Sequence, residues 1–181
     1  MNLTSPAFGR NEQIPSRYTC DGENIHPPLA ISEPPKRVKS YCIIMEDLDA
    51  MEENANWLHW TMWNIHPHTT IIKAGKIPAG VVQGKTSSDT YHYVGPCPPK
   101  GVHRYRFMLF ALDKELDVDV DSNAEDLEEE MDGHVLAEAE LIGTYRRNGD
   151  GWPKHAEAEL GAPPPESQRT PAAEQGNVEE E

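Results

Sequence analysis

Large apolar residues in this chain gather in short runs separated by Pro, Gly and Asn, with little of the three-to-four spacing of a helix before residue 120. Ser40–Met45 (Ser-Tyr-Cys-Ile-Ile-Met) and Trp60–Ile65 are compact runs of strand length, and Val81–Val82 is a shorter one. Arg104–Leu112 is the longest, apolar on both faces, and is predicted as a central strand covered on both sides. Residues 1–40 are rich in proline and turns: Cys20–Ile31 reads as a turn, an extended arm and a short strand, because Pro27 and Pro28 forbid a helix. One helix is predicted, opened by Ser122 with Asn-Ala-Glu125 as a capping box and stopped at Gly133. Val135–Tyr145 reads as helix or strand, and the alternation in Ala139–Tyr145 favours a closing strand at its end. Strands spaced in this way predict a mainly β fold, an all-β sandwich or β-rich domain.

Composition divides the chain. After about Arg147 large apolar residues almost vanish, leaving Trp152 and Leu160 among five prolines, four glycines and many Glu and Ala in residues 148–181. Such a segment buries too little apolar surface to offset ordering entropy, so residues 1–146 are expected to form one domain and 147–181 an acidic disordered tail. The net charge of −15 is local: residues 1–112 carry 11 Lys/Arg against 10 Asp/Glu, whereas 113–140 carry one Lys and 13 Asp/Glu. With no basic stripe interleaved with aromatics, nucleic acid is not an expected partner. No apolar run reaches the ~18 residues of a membrane span, so no stable membrane insertion is expected. The N-terminal residues lack the basic and apolar regions of a signal peptide, which points to the cytoplasm. Cys20, Cys42 and Cys97 are odd in number and show no Cys-x-x-Cys pair, so free thiols in a reducing compartment are expected and a zinc site is disfavoured.

Three segments offer chemistry. In Met45–Met51, Asp47 and Asp49 follow an apolar run directly. In Trp57-Leu-His-Trp60, His59 lies between tryptophans at the entrance of the next run. In Gly95–Phe107, a loop dense in Pro and Gly leads into His103-Arg104-Tyr105. Strand alternation puts His103, Tyr105 and Phe107 on one face and Arg104 and Arg106 on the other, so Arg104 is read as a structural ion-pair partner. Taken singly, each has an ordinary explanation as a turn acid, a core histidine or a surface ion pair. Converging, Asp47, His59 and His103 would bring a carboxylate and two imidazoles together with the Tyr105 phenol. A carboxylate beside a histidine favours its cationic form, which suits an anion. The same set is compatible with a two-His, one-carboxylate metal site or with acid–base chemistry, and the spacing does not choose between them. No nucleophile motif such as Gly-x-Ser-x-Gly occurs.

Six blocks occur in an order similar to that of the phosphatidylethanolamine-binding proteins: Cys20-Asp-Gly-Glu-Asn-Ile-His-Pro-Pro-Leu29, Asp47-Leu-Asp-Ala50 with Trp57-Leu-His-Trp60, Gln83-Gly-Lys85, Gly95-Pro-Cys-Pro-Pro-Lys-Gly-Val-His-Arg-Tyr105, Phe110-Ala-Leu-Asp113 and Gly133–Tyr145. The chain most resembles the bacterial and archaeal, Raf-kinase-inhibitor-like branch, over residues 1 to about 146. The resemblance implies an antiparallel β-sandwich with a few peripheral helices and a small anion pocket. It places ligand-binding roles on Asp47, His59, Gly95, Pro96, His103 and Tyr105, with Arg104, Asp49 and Trp57 in support. It implies no cofactor and no metal. The implied function is non-enzymatic binding of phosphate or phosphoethanolamine-like groups, with modulation of a protein kinase or protease second and a hydrolase using the same Asp/His/His set third. A homodimer is implied by analogy alone. The chain departs from the family's Asp-Pro-Asp-Ala-Pro in having Leu48 and Met51 where prolines stand.

Overall fold

The apolar runs become strands of two antiparallel sheets. The computed structural model describes residues 1–52 and 55–147. In chain order these are β1 (Asn2–Thr4), a 3-10 turn at Ser16–Tyr18, β2 (Leu29–Ser32), β3 (Ser40–Glu52), β4 (Ala55–Ile65), β5 (Ile71–Ile72), β6 (Val82–Gln83), β7 (His103–Leu112), α1 (Ala124–Met131) and β8 (Val135–Tyr145). The small sheet has the order β1-β2-β5 and the large one β6-β4-β3-β7-β8. The predicted tail lies outside the described residues apart from Arg147, whose guanidinium forks onto Asp21 and so belongs to the folded body.

Alternation along the strands sorts the side chains into two cores. On one face of the large sheet, Tyr41, Ile43, Met45, Trp60, Met62, Phe107 and Leu109 pack against Leu3, Leu29, Ile31 and Ile72 of the small sheet. On the other, Cys42, Ile44, Leu58, Trp63, Phe110 and Leu112 pack with Leu116 and with Leu127 and Met131 of α1. The strand predicted to be covered on both sides is therefore β7, which lies between β3 and β8.

Four local expectations change. Val135–Tyr145 is strand throughout, because its residues pair along the whole of β7 with one irregularity, at Leu136. The short apolar run forms strand at Val82–Gln83 rather than at Val81. The helix is capped by Asn123, not Ser122: the Asn123 side chain accepts from the Asp126 amide, and the Asp126 carboxylate accepts from the Asn123 amide. Asn and Asp complete the reciprocal box as well as Ser and Glu do, one residue further on.

The fourth concerns sulfur. Cys20 and Cys97, expected as free thiols, are joined in a disulfide across 77 residues of sequence, and Cys42 is the free, buried cysteine. An odd count concealed a pair that only the tertiary fold brings together. No helix among the described residues is long and apolar enough to cross a membrane.

Candidate functional site

Three strands of the large sheet meet at one cavity. Asp47 on β3 is paired in register with Trp57 on β4 and with Tyr105 on β7, so these three side chains are lateral neighbours on one face. His103 begins β7 two residues before Tyr105 and shares that face.

His59 reaches the same face by a local irregularity. Met45 pairs with Trp60 and Glu46 with Leu58, so one step along β3 spans two along β4, and His59 is the extra residue of a β-bulge. Sequence neighbours His59 and Trp60 both turn inward as a result. His59 sets its ring edge-on to Tyr105 at 5.2 Å, while Trp60 stacks on His26 at 4.8 Å in the core. A second irregularity shapes the opposite wall. Asp47 pairs with Trp57 and Met51 with Asn56, so Leu48, Asp49 and Ala50 are extra residues on β3, and of the two family proline positions Leu48 lies in the bulge while Met51 resumes the ladder.

The remaining wall is the loop before β7. Its Gly95 is seated against the Tyr18–Asn24 turn: the Gly95 amide donates to Asn24 Oδ1 at 2.8 Å, and the Cys20 amide donates to the Pro96 carbonyl at 3.1 Å. A Cβ on Gly95 would lie 2.6 Å from Asn24 Oδ1 and 2.7 Å from the Tyr18 carbonyl, so only glycine permits this approach. The enclosed space is about 330 Å³, lined by Asp47, Ala50, Trp57, His59, Ser88, Val94, Gly95, Cys97, Pro98, Pro99, His103 and Tyr105.

The polar groups in it have defined roles. His103 Nδ1–H donates to Asp47 Oδ2 at 2.7 Å, which leaves Nε2 for the cavity. The second Asp47 oxygen accepts from the Asp49 amide. His59 Nδ1–H donates to the Val94 carbonyl at 2.7 Å, so Nε2 is its free position too. Burial is the main influence on His59 and lowers its pKa, outweighing the Val94 carbonyl and the Asp47 charge. The sequence-based expectation of a carboxylate-supported cation is thereby reversed for His59, which is neutral near pH 7. Tyr105 is fully buried, and its hydroxyl has no well-formed hydrogen bond among the described residues, although the Asp47 carboxylate is close enough to act on it. Burial first, then the Asp47 charge, then that hydroxyl–carboxylate interaction push its pKa far up, so it keeps its proton.

Of the residues singled out in the sequence, Asp47, Trp57, His59, Gly95, His103 and Tyr105 line the cavity. Pro96 does not; its carbonyl anchors the loop to Cys20 instead. Arg104 turns to the other face and forks onto Asp49 at 2.8 and 3.0 Å, the ion pair expected of it. Ala50, Ser88, Val94, Cys97, Pro98 and Pro99 also line the cavity and were not anticipated. Three of them continue the loop already noted at Gly95, whereas Ser88 and Val94 carry no sequence signal. Among the described residues, no three His, Cys, Asp or Glu side chains are grouped to hold a metal.

Two buried histidines make stability pH-dependent. His26 and His59 are 3% and 5% exposed, and burial holds both pKa values below the ordinary 6.5. The unfolded chain binds more protons than the native one in the interval below 6.5, so stability falls as pH drops through it. Asp21, Asp49 and Asp113, held low by Arg147, Arg104 and His134, release their contributions only below 3.8. Urea midpoints are therefore expected to be lower at pH 5 than at pH 7.5, and equal midpoints would contradict the burial of neutral imidazoles.

The described residues form a β-rich body with a small, one-sided cavity walled by Asp47, His59, His103 and Tyr105. The family model for phosphatidylethanolamine-binding protein matches residues 4–146, and the chain belongs to that family, in its prokaryotic branch. A curated relative described as a UPF0098 protein from Methanothermobacter thermautotrophicus is 51% identical over 152 residues, covering 81% of this chain and 99% of the relative. The crystal structure of a phosphatidylethanolamine-binding protein homologue, CT736 of Chlamydia trachomatis, superposes with a TM-score of 0.78 at 39% identity, covering 81% of this chain and 97% of that one. E. coli YbcL, described as a member of the mammalian family, gives 0.75 at 29% identity over 81% and 98% of the two chains.

Proposed function

We propose that the cavity binds a small phosphate-bearing ligand of the phosphoethanolamine type. The observation that carries this reading is the Tyr105 hydroxyl, fully buried, lining the cavity and without a well-formed hydrogen bond among the described residues, its neighbour being the Asp47 carboxylate. A buried hydroxyl left poorly paired costs up to about 1–3 kcal/mol, and a ligand oxygen would relieve that cost. His103, its Nδ1–H held by Asp47, presents Nε2 to the same space. Neutral His59 presents an acceptor at Nε2, which suits a protonated phosphate oxygen or an ammonium group.

Size and charge narrow the ligand. At about 330 Å³ the cavity lies at the small end of the range for ligand sites, enough for a headgroup and not for acyl chains. No Lys or Arg lines it, and the Asp47 carboxylate adds a negative charge. A monoanion or a zwitterion therefore fits better than a dianion.

The test is a titration with phosphoethanolamine at millimolar concentration, followed through the imidazole resonances of His59 and His103. Both are expected to shift. Tyr105→Phe is expected to bind about tenfold more weakly, the equivalent of one hydrogen bond. The same variant should be close to the parent in stability, because the buried hydroxyl makes no well-formed hydrogen bond. Unmoved resonances, or a Tyr105→Phe protein that binds as tightly as the parent, would rule the reading out.

A further inference from the structure

The disulfide stands at the cavity mouth. Cys97 is an exposed residue and lines the cavity, whereas Cys20 is half-buried and does not. The bond joins the cavity loop to the Cys20–Asn24 turn, beside two backbone-directed hydrogen bonds, Gly95 N–H to Asn24 Oδ1 and Cys20 N–H to the Pro96 carbonyl. The same loop carries the Val94 carbonyl that orients His59. Anything that changes the sulfur link therefore acts on the cavity from both its rim and its histidine.

We propose that the Cys20–Cys97 disulfide is an exchange site for small thiols, that Cys97 is the sulfur attacked, and that opening it diminishes ligand binding in the cavity. Attack runs along the S–S axis, and Cys97 is the more exposed residue of the pair, so its sulfur receives the nucleophile and that of Cys20 leaves. An incoming thiolate bonds to Cys97 Sγ as the bond to Cys20 Sγ breaks, and Cys20 departs as a thiolate that takes up a proton. A second thiol then attacks the sulfur of the first, releasing Cys97 as a thiol and leaving as a symmetrical disulfide. In total two small thiols are oxidised, two electrons pass to the protein disulfide, and two protons end on the cysteines. At the intermediate stage the adduct on Cys97 sits at the mouth of the cavity, where it competes with a ligand for space. Cys42, buried within the sheet, takes no part.

The functional consequence rests on the cavity reading above; the exchange chemistry does not. The full chain in its oxidised form is treated with reduced glutathione without denaturant, adducts are trapped by alkylation, and their positions are read by peptide mass spectrometry. The adduct is expected on Cys97. Phosphoethanolamine affinity is expected to fall about tenfold in the adduct, the scale of one displaced polar contact, and to fall also in Cys20→Ser, which removes the bond without altering a cavity-lining residue. An adduct on Cys20, a disulfide that reacts only in urea, or equal affinities in the oxidised and adduct forms would each overturn the proposal. Should Cys20→Ser fail to fold, the adduct on the native chain carries the comparison alone. If the oxidised protein binds no phosphoethanolamine, the cavity reading fails separately. The exchange site is then judged on the adduct alone: it stands if the adduct forms on Cys97 without denaturant and falls if it does not.

Discussion

Asp47→Asn is expected to weaken phosphoethanolamine binding by about 10- to 100-fold, the value of a charge-assisted hydrogen bond, while leaving the sheet folded. Asp47 is nearly buried on the central strand, and one of its oxygens accepts from His103 Nδ1–H. This bond sets the histidine tautomer and leaves Nε2 for the cavity. Asparagine keeps the shape but carries an amide that can turn its NH2 toward the ring, so Nδ1–H is no longer fixed as the donor and Nε2 no longer fixed toward the cavity. The signature of this positioning role is the His103 tautomer: the imidazole nitrogen shifts are expected to change in the variant before any ligand is added. Calorimetric titration gives the affinity. Affinity within twofold of the parent, with an unchanged tautomer, would show that the Asp47–His103 pair only braces the strands.

Trp60→Ala is expected to have the largest effect on stability, about 3–5 kcal/mol, the cost of removing a fully buried aromatic ring. Trp60 is 0% exposed and stacks on His26 with its face and against Tyr93 with its edge. Its indole N–H donates to Gln83 Oε1 at 2.8 Å. Gln83 belongs to β6, whose ladder pairing is with Met62 and Trp63 of β4. The variant would therefore leave a cavity between the sheets and a polar side chain without its donor, and it would loosen an edge strand. Equilibrium urea denaturation measures the loss, and a cost below about 1 kcal/mol would mean that the site collapses to fill the space.

These two residues show where a linear pattern stops being informative. Trp57, His59 and Trp60 were visible as a histidine among tryptophans, and His59 had an ordinary explanation as a core residue. Period-two alternation would put His59 and Trp60 on opposite faces. The β-bulge puts them on the same side, with His59 at the cavity and Trp60 in the core. A bulge depends on how two strands come into register, which the residues of one strand do not encode. The charge of His59 follows the same logic. Proximity to a carboxylate suggested a cation, but burial, which depends on everything packed around the ring, outweighs it.

What the sequence determined by itself is local. Apolar runs bounded by Pro and Gly located β3, β4, β7 and the end of β8, because period and turn chemistry act over a few residues. Alternation in β7 separated the His103 and Tyr105 face from the Arg104 face, and the Arg104–Asp49 fork follows that division. Six ordered blocks were enough to identify the family. The tertiary structure alone decided the long-range matters: the Cys20–Cys97 bond across 77 residues, the inward turn of His59, and the burial of the Tyr105 hydroxyl without a well-formed hydrogen bond among the described residues. Each of these depends on which distant segments come within a few ångströms of one another. That proximity is set by packing two sheets face to face, not by any neighbour along the chain.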